Sequence, residues 1–226
     1  MDPAASHPRS GLSFAERWPD VVSPAPEGDN DPLGVSVLYH KPLRVFAAAD
    51  RRLVLGRGQD PWRELAVIQA QADGIPIHRR PTGGGAVILA PGCVIIACRL
   101  PAWEGDTAYC CARINERLAP ALHDVGAPLL VTRGHGDLAL SDNGQLYKIL
   151  GASLRRGSFG ILYLAAVLVE DLSPLMDRYL LSPSRQPDYR QHRDHRRFCT
   201  HLGRYGVTQE QAITAITSAM QDVMAS

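Results

Sequence analysis

With 226 residues, 45% hydrophobic and 21% charged, the chain has the length for one substantial core, or at most two small ones, and the balance of an ordinary folded domain. A formal net charge of +1 supplies no field that calls for nucleic acid or a membrane surface, and no apolar run approaches the roughly 20 residues of a membrane helix. Five cysteines, an odd number with Cys110 and Cys111 adjacent, do not form a disulfide framework; residues 1–10 lack the apolar core of a secretory signal, so a reducing, cytoplasmic setting is expected.

Residues 1–32 are rich in Pro, Ser, Asp and Gly apart from an apolar patch at residues 14–18, and read as a flexible tail with at most one turn of helix. Residues 33–226 read as one α+β domain with a mixed, antiparallel-rich sheet and flanking helices. Short β-prone runs at 35–39, 45–49 and 53–55 come first. Asp60-Pro61 then starts a helix, because aspartate caps free N–H groups and proline suits the first helical position. Leu65, Ile68 and Ala72 share one face of that helix and Gly74 stops it. Residues 75–78 return as a strand, and 86–100 read as two strands broken at Pro91-Gly92. A helix is expected from Thr107 to about Leu118, limited by Pro120. Strands follow at 129–132, 137–140 and 147–150, the last two joined by a hairpin turn at Asp142-Asn143-Gly144, and another at 159–169. Thr208 with Gln211 forms a capping-box pattern, and Ile213, Ile216, Met220 and Val223 then keep helical spacing.

Three places can carry chemistry. Residues 79–87 read Arg-Arg-Pro-Thr-Gly-Gly-Gly-Ala-Val. Three adjacent glycines pack nothing and suggest a backbone that something approaches closely, while the two arginines offer planar forks for phosphate or carboxylate. The run matches neither the P-loop, which needs Lys-Ser/Thr after its last glycine, nor the dinucleotide fingerprint, which needs a glycine where Ile88 stands. Lys148 is the second place. Of 24 basic residues only it and Lys41 are lysines, and a compact ammonium can sit between a carboxylate and a phosphate oxygen; the plainer reading is a solvated lysine on a strand edge. Asp137, after Gly134-His135-Gly136, is a turn residue by default; facing Lys148 it could orient that ammonium or hold Mg²⁺ through water. Third, residues 188–201 are dense in Arg and His, a basic surface for an acidic partner or a lid rather than a zinc site.

In order and spacing, three motifs resemble the lipoate–protein ligase family, within the biotin and lipoate protein ligases. They are Gly56-Arg57-Gly58-Gln59-Asp60-Pro61-Trp62, the Arg79–Val87 loop, and Gly136-Asp137-Leu138 followed by Lys148-Ile149-Leu150-Gly151-Ala152-Ser153. The resemblance implies a fold like the class II synthetase catalytic core and a two-step reaction. Lipoate or octanoate attacks ATP to give an acyl adenylate, and a lysine of a lipoyl carrier domain then takes the acyl group and releases AMP. It places Arg79, Arg80, Thr82, Gly83, Gly84, Gly85, Ala86, Asp137, Gly151 and Ser153 around the adenylate, with Arg80 on phosphate. Lys148 becomes the catalytic residue, holding acyl carbonyl and phosphate. Mg²⁺ is expected with the leaving pyrophosphate, Asp137 being the residue offered for it.

Two departures stand out. Where many members carry an aromatic residue and His-Asp after the loop, this chain has Ile88-Leu89-Ala90, and the sequence ends one helix after the catalytic core. Short forms of this kind imply a separate accessory subunit for activation. Two rival readings remain: an octanoyltransferase fed by acyl carrier protein, for which Cys199 is the nucleophile candidate, and a non-catalytic module that docks a carrier domain.

Overall fold

The computed structural model describes Trp18, residues 20–23 and residues 31–226. Strands β1 (Leu43–Ala47), β5 (Cys93–Leu100), β6 (Leu130–Arg133), β7 (Asp137–Asp142), β8 (Gln145–Gly157) and β9 (Gly160–Leu168) form a six-stranded antiparallel sheet in the order β1-β5-β9-β8-β7-β6. β5 and β9 are apolar on both faces and buried almost throughout, which suits them to the interior of the sheet. β2 (Arg52–Leu55) lies between β3 (Ile77–Arg79), parallel to it, and antiparallel β4 (Val87–Leu89) in a second, three-stranded sheet.

The large sheet is covered on both faces. On one, α3 (Thr107–Asp124) and α6 (Gln209–Ala225) bring Ile114, Leu118, Leu122, Ile216 and Met220 against Val94, Ile96, Tyr163 and Val167. On the other, Cys93, Ile95 and Leu168 meet the small sheet through Leu53, Leu55 and Ile88. The same cluster takes in α1 (Pro61–Glu64), α2 (Val67–Ala72) and α4 (Ser173–Tyr179) through Leu65, Val67 and Met176. Among the described residues, no helix is long and apolar enough to cross a membrane.

Several expectations hold residue by residue. Asp60 accepts a hydrogen bond from the Trp62 amide at 2.9 Å, with Pro61 at the first helical position. The β7–β8 hairpin turns through Asn143 and Gly144, both with positive φ. The capping box at Thr208 and Gln211 is closed in both directions.

Four differ. Residues 35–38 form a 3-10 turn rather than a strand: the Asp31 carboxylate accepts from the amides of Leu33 (3.1 Å) and Ser36 (2.6 Å) and draws the chain round. The helix begun at Asp60 breaks at Leu65, where the chain turns extended and pairs with Leu180; Ala66 donates to the Tyr179 carbonyl and Leu181 to that of Glu64. The second piece, α2, therefore buries Val67 and Ala70 and leaves Ile68 74% exposed. α3 runs through Pro120 to Asp124. Pro120 and Glu116, whose carbonyl loses its helical donor, are both exposed to water, while Leu118 and Leu122 are fully buried. Finally, parts of the expected tail are packed: Trp18 and Val22 belong to the core, and Ser23 pairs with His78 of β3. Residues 1–17, 19 and 24–30 of that tail, including the patch before Trp18, lie outside the described residues.

Candidate active site

The glycine loop leaves β3 at Arg80 and enters β4 at Val87, so it sits at the end of the small sheet beside the turn that follows β2. That turn is closed by Gln59, whose Oε1 accepts from the Gly56 amide at 2.8 Å, and is joined to the loop by the Arg57 amide on the Thr82 carbonyl at 2.9 Å. A Cβ on Gly56 would collide with the Gly84 carbonyl, so the two turns lie backbone against backbone. Gly84 has φ +87°, which an L side chain resists. Gly83 and Gly85 have another reason: a Cβ on either would meet nothing within 4 Å, and all three glycines are exposed. None of their amide N–H groups has a hydrogen-bond partner among the described residues.

The arginines shape this loop from behind. Arg79 donates Nη1 to the carbonyls of Gly56 (2.9 Å), Gln59 (2.8 Å) and Arg57 (3.3 Å). Arg80 is 7% exposed and gives its fork to Gly83 (2.6 and 3.1 Å), Gly85 (2.7 Å) and Val54 (3.3 Å). Arg80, which the family resemblance assigns to phosphate, is thus committed to the loop's own carbonyls. No carboxylate pairs with it among the described residues, and burial lowers its pKa to about 10, which leaves it a cation at neutral pH. Carbonyl oxygens point inward to this buried charge, while the amides of these exposed glycines stay unpaired among the described residues. Such a loop offers donors to an anion.

Lys148 reaches the same side by way of a bulge. Ala139 pairs with Lys148 but Leu138 pairs with Leu150, so Ile149 is an extra residue in β8. Ile149 and Leu150 are both buried, and the alternation resumes one residue late. Lys148, Gly151 and Ser153 consequently share a face. A Cβ on Gly151 would stand 2.8 Å from both Cε and Nζ of Lys148, so the lysine lies across that glycine. Ser153 Oγ is 2.7 Å from Thr82 Oγ1, linking the large sheet to the loop. Lys148 Nζ is 2.7 Å from Asp137 Oδ1 in a partly buried ion pair.

Tyr189, not singled out in the sequence, completes the group: its hydroxyl donates to Asp137 Oδ2 at 2.8 Å. The only sequence signal was its position inside the Arg/His-rich segment. That segment is not a uniformly solvated basic face. Among the described residues, no group of three or more His, Cys, Asp or Glu could hold a metal ion. Phe198 is buried, Tyr189 packs on it at 5.1 Å, and Arg190 and Arg193 lie 4.9 and 5.4 Å from its ring. Arg196 and Arg197 are the exposed cations, beside Asp177 and Asp194.

Asp137 keeps one oxygen on Lys148 and the other on Tyr189, with a further lone pair left on each. Burial disfavours the thiolate form of four of the five cysteines. Cys199 runs alongside Lys148, yet burial pushes its thiol up to about 11 against the pull of the lysine's charge. Burial also raises Cys93, Cys98 and Cys111, each to about 12.

An α+β domain that sets unpaired loop amides and an ion-paired lysine on one face has the features of a site for an anionic ligand. The match to known proteins is specific: a model of the lipoyl protein ligase A/B catalytic domain covers residues 40–221, and the chain belongs to that family. A putative lipoate-protein ligase A of Aeropyrum pernix is 33% identical over 84 residues, 37% of this chain and 31% of that protein. The matched stretch is thus about a third of that relative's length. The fold is shared with an archaeal lipoylation system from Thermoplasma acidophilum, a bi-partite lipoate protein ligase and its E2 lipoyl domain. Its TM-score is 0.67 at 22% identity, over 80% of this chain and 69% of that one. A lipoate-protein ligase A bound with ATP gives 0.65 at 21% identity, over 80% and 71%.

Proposed function

We propose that the chain is an ATP-dependent lipoate– or octanoate–protein ligase whose site holds an acyl adenylate between the glycine loop and Lys148. The observation that carries this reading is the pairing of unpartnered amides at Gly83, Gly84 and Gly85 with an ammonium on the β8 face joined to the loop by Ser153 and Thr82. Family membership and an ATP-bound protein of the same fold support the substrate pair.

The chemistry follows from where the donors stand. The acyl carboxylate attacks the α-phosphorus of ATP, an acyl–phosphate bond forms, and pyrophosphate leaves. Negative charge grows on the non-bridging phosphate oxygens, where loop amides and the Lys148 ammonium supply preorganised stabilisation. A carrier lysine then attacks the acyl carbonyl, an amide bond forms, and AMP leaves with the bonding electrons. Lys148 bridges carbonyl and phosphate in both halves. Arg80, buried behind the loop, holds the carbonyls of Gly83 and Gly85 back so that the amides face the phosphate, and adds a fixed positive charge. Magnesium would neutralise charge on the leaving pyrophosphate, with Asp137 as the carboxylate offered to it.

The lipoyl carrier domain and a second ligase chain are proposed partners, supported by the bi-partite Thermoplasma neighbour and its E2 lipoyl domain. The test is lipoylation of a lipoyl domain, run with lipoate plus ATP and separately with preformed lipoyl adenylate, so that activation and transfer are read apart. Lys148→Ala is expected to lower the rate from either donor by about 10²- to 10³-fold. ATP-independent modification from octanoyl acyl carrier protein, lost in Cys199→Ser, overturns the ligase reading in favour of the octanoyltransferase.

A further inference from the structure

The Arg/His-rich segment has no part in the reaction just described, yet it grips the strand of Lys148 at two points and reaches Asp137 of β7 at a third. β9 pairs with β8 only from Leu150 onward, and at Lys148 the segment takes its place. The main chains of Lys148 and Cys199 lie side by side, and the Thr200 amide donates to the Lys148 carbonyl at 2.9 Å. Arg193 Nη2 donates to the Leu146 carbonyl at 2.9 Å and to that of Tyr189 at 2.7 Å, tying the strand to the tyrosine's own backbone. Tyr189 then holds Asp137 Oδ2, while Oδ1 holds Lys148.

A carboxylate bonded through one oxygen can rotate and carry its ammonium with it; bonded through both, it cannot. We infer that Tyr189 is a positioning residue for Lys148: its hydroxyl fixes Asp137, and Asp137 holds the ammonium across Gly151 on the face of the glycine loop. The segment from Asp188 to Thr200, built around buried Phe198, is the frame that brings the hydroxyl to this point. Burial and the charge of Asp137 both raise the phenol's pKa, so it stays a donor throughout the neutral range. The kinetic consequence rests on the ligase reading above. The positional one does not.

Tyr189→Phe removes the hydroxyl and keeps the ring on Phe198. Because the chain has two lysines, and Lys41 is exposed, labelling lysine Cε with ¹³C gives one signal for the site and one internal reference. The wild-type chain is expected to show an ordered Lys148 side chain and a mobile Lys41, and Tyr189→Phe a Lys148 whose order falls toward that of Lys41. In the lipoylation assay the same variant is expected to lose about tenfold in kcat while the KM values for ATP and lipoate stay within about twofold. An unchanged Lys148 order overturns the assignment, as does lost order with unchanged kcat. Lost order in a chain whose wild type transfers lipoate neither with ATP nor from preformed lipoyl adenylate supports the positioning role and removes the ligase reading instead.

Discussion

Glycines of the two facing turns have different work, and single substitutions separate them. Gly56 packs its Cα against the Gly84 carbonyl, a backbone neighbour that cannot swing aside. Gly56→Ala is therefore expected to destabilise the fold by about 1–3 kcal/mol, as overpacking does, read as a lower midpoint in urea. Gly83 has open space where a Cβ would go and no positive φ. Gly83→Ala is expected to leave the urea midpoint unchanged or raise stability by about 0.4–1 kcal/mol. Its methyl would stand in the ligand's volume, so lipoylation should fall even as stability holds. A Gly83→Ala chain with full activity would remove the loop from the site.

Elements are placed here by contacts remote in sequence, and this sets what could be read from the chain. Strands, caps and the hairpin at Asn143-Gly144 were legible because their signals are local: Asp60 before Pro61, Thr208 before Gln211, a turn pair between apolar runs. The break at Leu65 was not, because its cause is the end of α4 and the two residues after it, which supply partners for Glu64, Leu65 and Ala66. Asp73, just after α2, shows the same dependence. It accepts from Tyr179 at 2.7 Å and from Arg178 of α4, and from Gln69 at 3.0 Å, which lowers its pKa from 3.8 to about 2. A depressed carboxyl adds stability above its unfolded value and loses it as pH falls through the folded one. The gap in thermal midpoint between wild type and Asp73→Asn should therefore be constant above pH 4 and shrink from there toward pH 2. A gap that persists unchanged at pH 2 would contradict the pairing.

At the scale of the molecule, the site exists because two sheets meet. The sequence singles out the glycine loop and Lys148 as candidates, but the Ile149 bulge that turns Lys148 onto the loop's side leaves no mark in a single sequence. Tyr189 was hidden for the same reason, since its partner Asp137 lies on another strand 52 residues earlier. The core behind the sheet must hold these pieces in register. Leu118→Ala, in the fully buried stretch of α3, is expected to cost about 2–5 kcal/mol in the same urea experiment. The central claim, an acyl-adenylate site between loop and lysine, is tested most directly by calorimetric titration of a non-hydrolysable lipoyl-adenylate analogue. The account predicts one site per chain, with affinity reduced at least about tenfold in both Gly83→Ala and Lys148→Ala, each variant still folded. No binding to the wild-type chain, or binding that neither substitution weakens, would contradict it.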